Sequence, residues 1–146
     1  MILVDTGPLV ALFDPKEAEH QHCRDVLRGL AEPLGSTLPI LTEAFHILSP
    51  ESIGSDRLRE FVLQDGLQVL PLDREALGRA FELMEQYRDH PMDLADASLI
   101  VAAETVPTLK LFTLDRKDFS TYRVRRGHQH LAVEIVGPTT LPHLDG

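Results

Sequence analysis

Continuous apolar runs alternate with helically spaced apolar positions along this chain. Ile2, Leu3 and Val4 form an unbroken apolar run that ends at Asp5, and the spacing predicts a strand over residues 1–5. Pro8 then starts a short helix ending at Phe13. A second helix is expected over residues 16–30, with Val26, Leu27 and Leu30 on one face. Residues 35–38 read as a short extended piece, and Pro39 opens a helix to about Leu48. Ser55 or Asp56 is expected to cap the next helix, in which Leu58, Phe61 and Val62 keep helical spacing until Gly66 stops it. Residues 67–70 read as a strand. Asp73 caps a longer helix whose inner face is expected to carry Leu77, Ala80, Phe81, Met84 and Tyr87. A helix over 94–104 and a strand over 109–113 follow. Residues 122–136 suggest one or two further extended segments around Gly127.

The strand runs ILV and LKLFTL are almost uninterrupted in hydrophobicity, as expected of strands covered on both faces. Alternation of such strands with helices predicts an α/β fold: a three-layer α/β/α sandwich around a mainly parallel sheet. With 146 residues, no internal repeat and no linker-like tract, residues 1–146 are expected to form one domain. An apolar content of 43% is ordinary for a globular chain. The start lacks the cationic segment of a secretory signal, and Asp5, Gly7-Pro8 and Asp14 interrupt its apolar run. No stretch has the length of a membrane span. A single cysteine, Cys23, leaves no internal disulfide and fits a reducing compartment, so the expected location is the cytoplasm.

A net charge of −9 argues at first against a polyanionic partner. The charge is unevenly distributed, however. Residues 1–104 hold 8 basic and 19 acidic side chains, a net of −11; residues 105–146 hold 6 basic and 4 acidic, a net of +2. All six of those basic residues lie between Lys110 and Arg126. Such a cluster is either a solvated surface or a rim facing a polyanion.

Four acids occupy telling places. Asp5 ends the first strand, Asp115 follows the strand at 109–113, Glu43 lies one turn into its helix, and Asp96 lies in the first turn of LADASLIVAAE. Open α/β sheets gather functional groups at the C-terminal ends of their strands. Several carboxylates in one place repel one another unless a cation separates them. Mg²⁺ or Mn²⁺ accepts all-oxygen ligands of this kind, and such a site suits phosphodiester hydrolysis. Each acid also has a structural reading. Asp5 and Thr6 could make a turn, and Glu43 could be an exposed helix residue. Asp93 suits the cap of the helix that holds Asp96, Asp115 suits a turn or a cap, and Asp118 suits a turn.

Other chemistry is thinner. His20 and His22 on a helix point about 200° apart. His128 and His130 would share a face of an extended segment but have no third ligand in sight. Cys23 reads as a buried small hydrophobe. GxGxxG, the P-loop and GxSxG are absent.

Four stretches in order, ILVDTGPLVALFD, LTEAFHIL, DLADASLIVAAE and LFTLDRKDFSTYR, resemble the PIN domain, in particular the VapC-type toxins of toxin–antitoxin pairs. The resemblance covers nearly the whole chain; the tail from Tyr122 to Val136 matches less closely. It implies that Asp5, Glu43, Asp96 and Asp115 are an acidic quartet holding Mg²⁺ or Mn²⁺. Thr6 and Thr113 would be supporting hydroxyls and Asp93 an accessory acid. It implies endoribonuclease cleavage of single-stranded RNA, a homodimer, and a small antitoxin (VapB-like) that blocks the site.

The expectation is therefore a metal-dependent endoribonuclease, with Arg116 and Lys117 as candidates for phosphate contact. The alternatives are a PIN-like module that binds RNA or a partner without cutting, and a receiver-type signalling domain, whose early acid pair is missing. A haloacid-dehalogenase-like phosphatase would need an acid where Gly7 stands.

Overall fold

The computed structural model describes residues 1–137; the last nine residues of the expected domain lie outside the described part. The elements are β1 (Ile2–Val4), α1 (Thr6–Phe13), α2 (His20–Gly29), β2 (Leu34–Thr37), α3 (Leu38–Leu48), α4 (Ile53–Leu63), β3 (Gln68–Leu70), α5 (Arg74–Gln86), α6 (Leu94–Thr105), β4 (Lys110–Phe112), α7 (Arg116–Thr121), β5 (Arg123–Arg126), β6 (Gln129–Ala132) and β7 (Glu134–Val136). Among the described helices, none is long and apolar enough to cross a membrane.

Five strands form one parallel sheet in the order β3-β2-β1-β4-β7. The apolar run Ile2-Leu3-Val4 is fully buried at its centre, with Leu3 opposite Gly35 on one side and Leu111 on the other. From β1 the chain steps outward through β2 to β3, then returns to the far side of β1 as β4. Right-handed crossovers therefore send α1–α4 to one face and α5–α6 to the other. α1 packs on α2, α3 and α4, and α5 packs on α6, while α3 and α6 also meet each other. This is the mainly parallel α/β arrangement expected from the strand runs. The reversal of strand order falls between β1 and β4, so a crevice opens beyond their C-terminal ends.

The tail resolves into two different things. β5 and β6 pair as an antiparallel hairpin outside the main sheet, turning at Gly127, whose φ of 59° is one that glycine adopts without strain. β7 then joins the sheet edge parallel to β4.

Three local expectations are corrected. The helix expected from Lys16 begins at His20, because the Asp14 side chain accepts the Lys16 N–H and its carbonyl the Glu17 N–H, holding residues 14–17 in a turn. Ser52, not Ser55 or Asp56, caps α4, its hydroxyl accepting the Ser55 N–H. Phe81, assigned to the inner face of α5, is 54% exposed. On that helix Ala80 and Leu83 carry the buried line, since α5 is covered along one stripe by α6.

Three of the six residues of the basic cluster are used by the fold itself. Arg126 donates to the carbonyls of Ala103, Val106 and Thr108, closing the C-terminal end of α6. Arg123 does the same for Ser120 and Tyr122 at the end of α7. Lys110 pairs with Glu32. The charge shift toward the C-terminal part of the chain is thus in good measure helix capping and ion pairing.

Candidate metal centre

Asp5, Asp96 and Asp115 reach the crevice from element boundaries, and Glu43 from the middle of α3. Asp5 caps α1, one oxygen accepting the Thr6 N–H at 2.8 Å. Its own N–H donates to Phe112 O at 3.0 Å, which ties its backbone to β4. The other oxygen accepts the Thr113 hydroxyl at 2.8 Å. Thr113 in turn accepts the Asp115 N–H at 2.9 Å, so one buried hydroxyl links the first and fourth acids. Asp93 caps α6 by accepting the Asp96 N–H at 2.8 Å, which sets Asp96 one turn inside. Asp115 caps α7 by accepting the Asp118 N–H at 3.0 Å. Glu43 comes from α3, which carries a proline in its first turn.

One cleft is lined by Asp5, Thr6, Gly7, Val10, Glu17, Glu43, Ile47, Asp93, Asp96, Leu114, Asp115 and Asp118, with a cavity of about 620 Å³. Seven of these are acids and none is basic. The four acids singled out in the sequence meet here, and so do Thr6 and Asp93. Thr113 lies beneath, 1% exposed. Arg116 and Lys117 sit exposed on the first turn of α7 and do not line the cleft.

The electrostatics record the crowding. Asp5, buried and facing Asp115 and Glu43, is pushed up to about 6, although the bonds from Thr113 and Thr6 pull the other way. Asp96 is pushed up to about 8 by burial first, then by the charges of Asp93 and Asp5. Glu43 is raised by burial and by Asp93, and Asp115 chiefly by burial.

The sign of the pH effect follows. A carboxyl whose folded pKa lies above its unfolded value contributes no penalty below about pH 4 and the full penalty above its folded pKa. These four carboxyls are therefore expected to take stability from the metal-free protein as pH rises from about 4 to about 8, against the opposite contribution of Asp118, whose carboxyl is lowered. Melting curves in EDTA check this; a melting temperature that climbs steadily over that interval would contradict the crowding.

The residues present fit a divalent cation. A basic side chain is missing from the lining of a cleft with seven acids, and the Thr6 hydroxyl is buried there without a hydrogen-bond partner. Among the described residues no three His, Cys, Asp or Glu side chains are gathered tightly enough to hold an ion alone.

A family model described as PIN domain matches residues 2–124, most of the chain. The chain belongs to the PIN domain family. Ribonuclease VapC26 of Mycobacterium tuberculosis is 25% identical over 126 residues, 84% of this chain and 92% of that protein. The fold is that of the VapC toxins. The crystal structure of Mycobacterium tuberculosis VapC20, described as a sarcin-ricin loop cleaving toxin, superposes with a TM-score of 0.74 at 14% identity, covering 81% of this chain and 92% of that one. A toxin–antitoxin complex from Klebsiella pneumoniae gives 0.64 at 20% identity, covering 83% and 92%.

Sequence reasoning passed over Asp118, which it assigned to a turn. Asp118 lies in the first turn of α7 and lines the cleft beside Asp115. The signal was available: Asp115 and Asp118 are three apart, and a helix starting at Arg116 puts both at the same end. Glu17, Ile47 and Leu114 also line the cleft and carried no signal of their own. Of the histidine pair expected on one extended segment, His128 falls instead in the hairpin turn beside Gly127, and only His130 is on a strand. His20 bonds the Ala11 carbonyl, while His130 lies on the exposed hairpin opposite Arg125. Cys23 is fully buried.

Proposed function

We propose that this PIN domain is a divalent-metal-dependent endoribonuclease acting on single-stranded RNA, the toxin of a toxin–antitoxin pair. The observation that carries the reading is the meeting of Asp5, Glu43, Asp96 and Asp115, from four separate elements, in one cleft without a basic lining residue. Asp5, Asp96 and Asp115 would hold Mg²⁺ or Mn²⁺, with Glu43 completing the set. When bound, such an ion polarises the phosphoryl group and lowers the pKa of water.

The chain's own residues do the rest. Thr113 fixes both oxygens' directions at Asp5 by holding one of them, and it holds the Asp115 backbone at the same time. Asp93 fixes the first turn of α6 and adds negative charge at the mouth. Among the described residues the Thr6 hydroxyl is buried without a hydrogen-bond partner, so it would be available to a phosphate oxygen or a water. Arg116 and Lys117, exposed beside Asp115, would meet the RNA backbone outside the cleft. The acid at the position after next from Asp5, needed by a haloacid-dehalogenase-like phosphatase, is Gly7. An antitoxin partner is inferred from the toxin–antitoxin complex among the structural relatives. A homodimer and a cytoplasmic location belong to the same reading.

Defined single-stranded RNAs incubated with Mg²⁺, Mn²⁺ or EDTA test it. Cleavage is expected with either ion and none with EDTA; cleavage that persists in EDTA would overturn metal dependence. Thr113→Val removes the hydroxyl without changing shape. It is expected to lower metal affinity or activity roughly 10–100-fold, the usual effect of losing a group that orients a ligand. Isothermal titration with Mn²⁺ and the cleavage rate measure it.

A further inference from the structure

Asp118 is held from outside the cleft. His90, in the loop between α5 and α6, meets the Asp118 carboxylate through Nε2 at 2.8 Å. The His90 ring stands edge-on to Tyr122 at 5.7 Å, and Tyr122 packs in the same way on Phe119 and Tyr87. The Tyr122 hydroxyl donates to Pro91 O at 2.9 Å, and the Tyr87 hydroxyl accepts the Arg123 N–H at 3.0 Å. The loop that ends in Asp93 is thereby clasped onto α7.

The clasp continues into the cleft. Asp118 gives its N–H to Asp115, the Asp115 N–H goes to Thr113, and the Thr113 hydroxyl goes to Asp5. His90 is the outermost member of this chain of contacts. It joins the limb of the cleft that carries Asp93 and Asp96 to the limb that carries Asp115.

We propose that His90 is a positioning residue for the metal cleft: by holding Asp118 it fixes the first turn of α7, and so the direction of the Asp115 carboxylate. This rests on the ribonuclease reading given above. Asp118 lies between two neighbours, Asp115 and His90. Its carboxylate bonds the side chains of both; held by His90, it gives Asp115 a fixed partner, and released, it is free to swing, so that the direction of the Asp115 carboxylate is no longer set. The His90 contact reaches Asp118 from a different element, 28 residues away in the chain.

Two substitutions separate positioning from packing. His90→Ala removes both the bond and the ring; His90→Gln keeps a side-chain N–H able to reach Asp118. Three readouts apply: Mn²⁺ affinity without RNA, kcat and KM for RNA cleavage, and the amide resonance of Asp118 in the metal-free protein. His90→Ala is expected to weaken Mn²⁺ binding and lower kcat roughly tenfold each, with KM little changed. It should also shift the Asp118 amide. His90→Gln is expected to recover most of all three. Wild-type Mn²⁺ affinity and an unmoved Asp118 amide in His90→Ala would overturn the proposal. So would a His90→Gln variant as impaired as His90→Ala, since that result assigns the effect to lost ring packing. If the unsubstituted protein neither binds Mn²⁺ nor cuts RNA, the ribonuclease reading falls, while the amide shift still reports whether His90 orders the Asp115–Asp118 turn.

Discussion

Asp96→Asn is expected to abolish RNA cleavage while leaving the protein folded, and to make the metal-free protein more stable at pH 8. Asp96 is the acid whose ionisation the cleft resists most clearly, with its carboxyl pushed up to about 8 by burial and by Asp93 and Asp5. Asparagine keeps the shape and removes the charge. The cap that builds the helix is untouched, because it uses the backbone N–H of residue 96 and the side chain of Asp93. The charge that would fix the cation is lost, and a fall in kcat of at least about 10³-fold is the scale set by removing a group that stabilises charge in a water-poor site. Two measurements together decide it. Cleavage should vanish, and added Mg²⁺ should raise the melting temperature of the unsubstituted protein but not of Asp96→Asn, because only a bound ligand stabilises by mass action. An Asp96→Asn protein that cuts RNA at an undiminished rate in EDTA would end the metal reading.

The largest effect expected on stability is at Phe112. This side chain is fully buried on β4, between the central strand and the edge strand, in register with Val4 of β1 and Val136 of β7. Truncation to alanine removes most of a ring from a packed interior and leaves a void, at a cost of about 3–5 kcal/mol. That is a large share of the total stability of an ordinary domain. For a chain of this length it corresponds to a fall in melting temperature of roughly 10–15 °C. The consequence reaches the site, since the Phe112 carbonyl accepts the Asp5 N–H. Phe112→Ala should therefore lose activity on mild warming at temperatures where the unsubstituted protein is still active. Thermal melts followed by circular dichroism measure the first effect; a shift below about 3 °C would show that the core collapses around the gap.

What could be read from the chain alone were the features set by near neighbours. The apolar runs gave the strands that form the sheet's middle, because a strand covered on both faces has no polar side to show. Asp73 and Asp93 were recognisable as caps because capping is a bond to an N–H only three residues away. Asp5 and Asp115 stood out because each follows a strand; that each also caps a helix, and that a helix follows Asp115 at all, came from the structure. Where two local solutions compete, sequence stops short. Ser52, Ser55 and Asp56 are all able to cap α4. The choice of Ser52 goes with the packing of Gly54, where an added Cβ would meet the Phe13 carbonyl at 2.5 Å. The exposure of Phe81 was likewise decided by which stripe of α5 the neighbouring helix covers, not by the spacing of apolar residues along it.

The sequence by itself determined that Asp5, Asp96 and Asp115 would stand at element ends, and the order of those elements. Only the tertiary structure decided that the ends coincide. The return of the chain from β3 to the far side of β1 places Asp5 and Asp115 at adjacent strand ends. The same folding brings His90 to Asp118 across 28 residues. Such meetings depend on crossover direction and strand order, which involve the whole chain at once, whereas caps and apolar runs are written in a few consecutive residues.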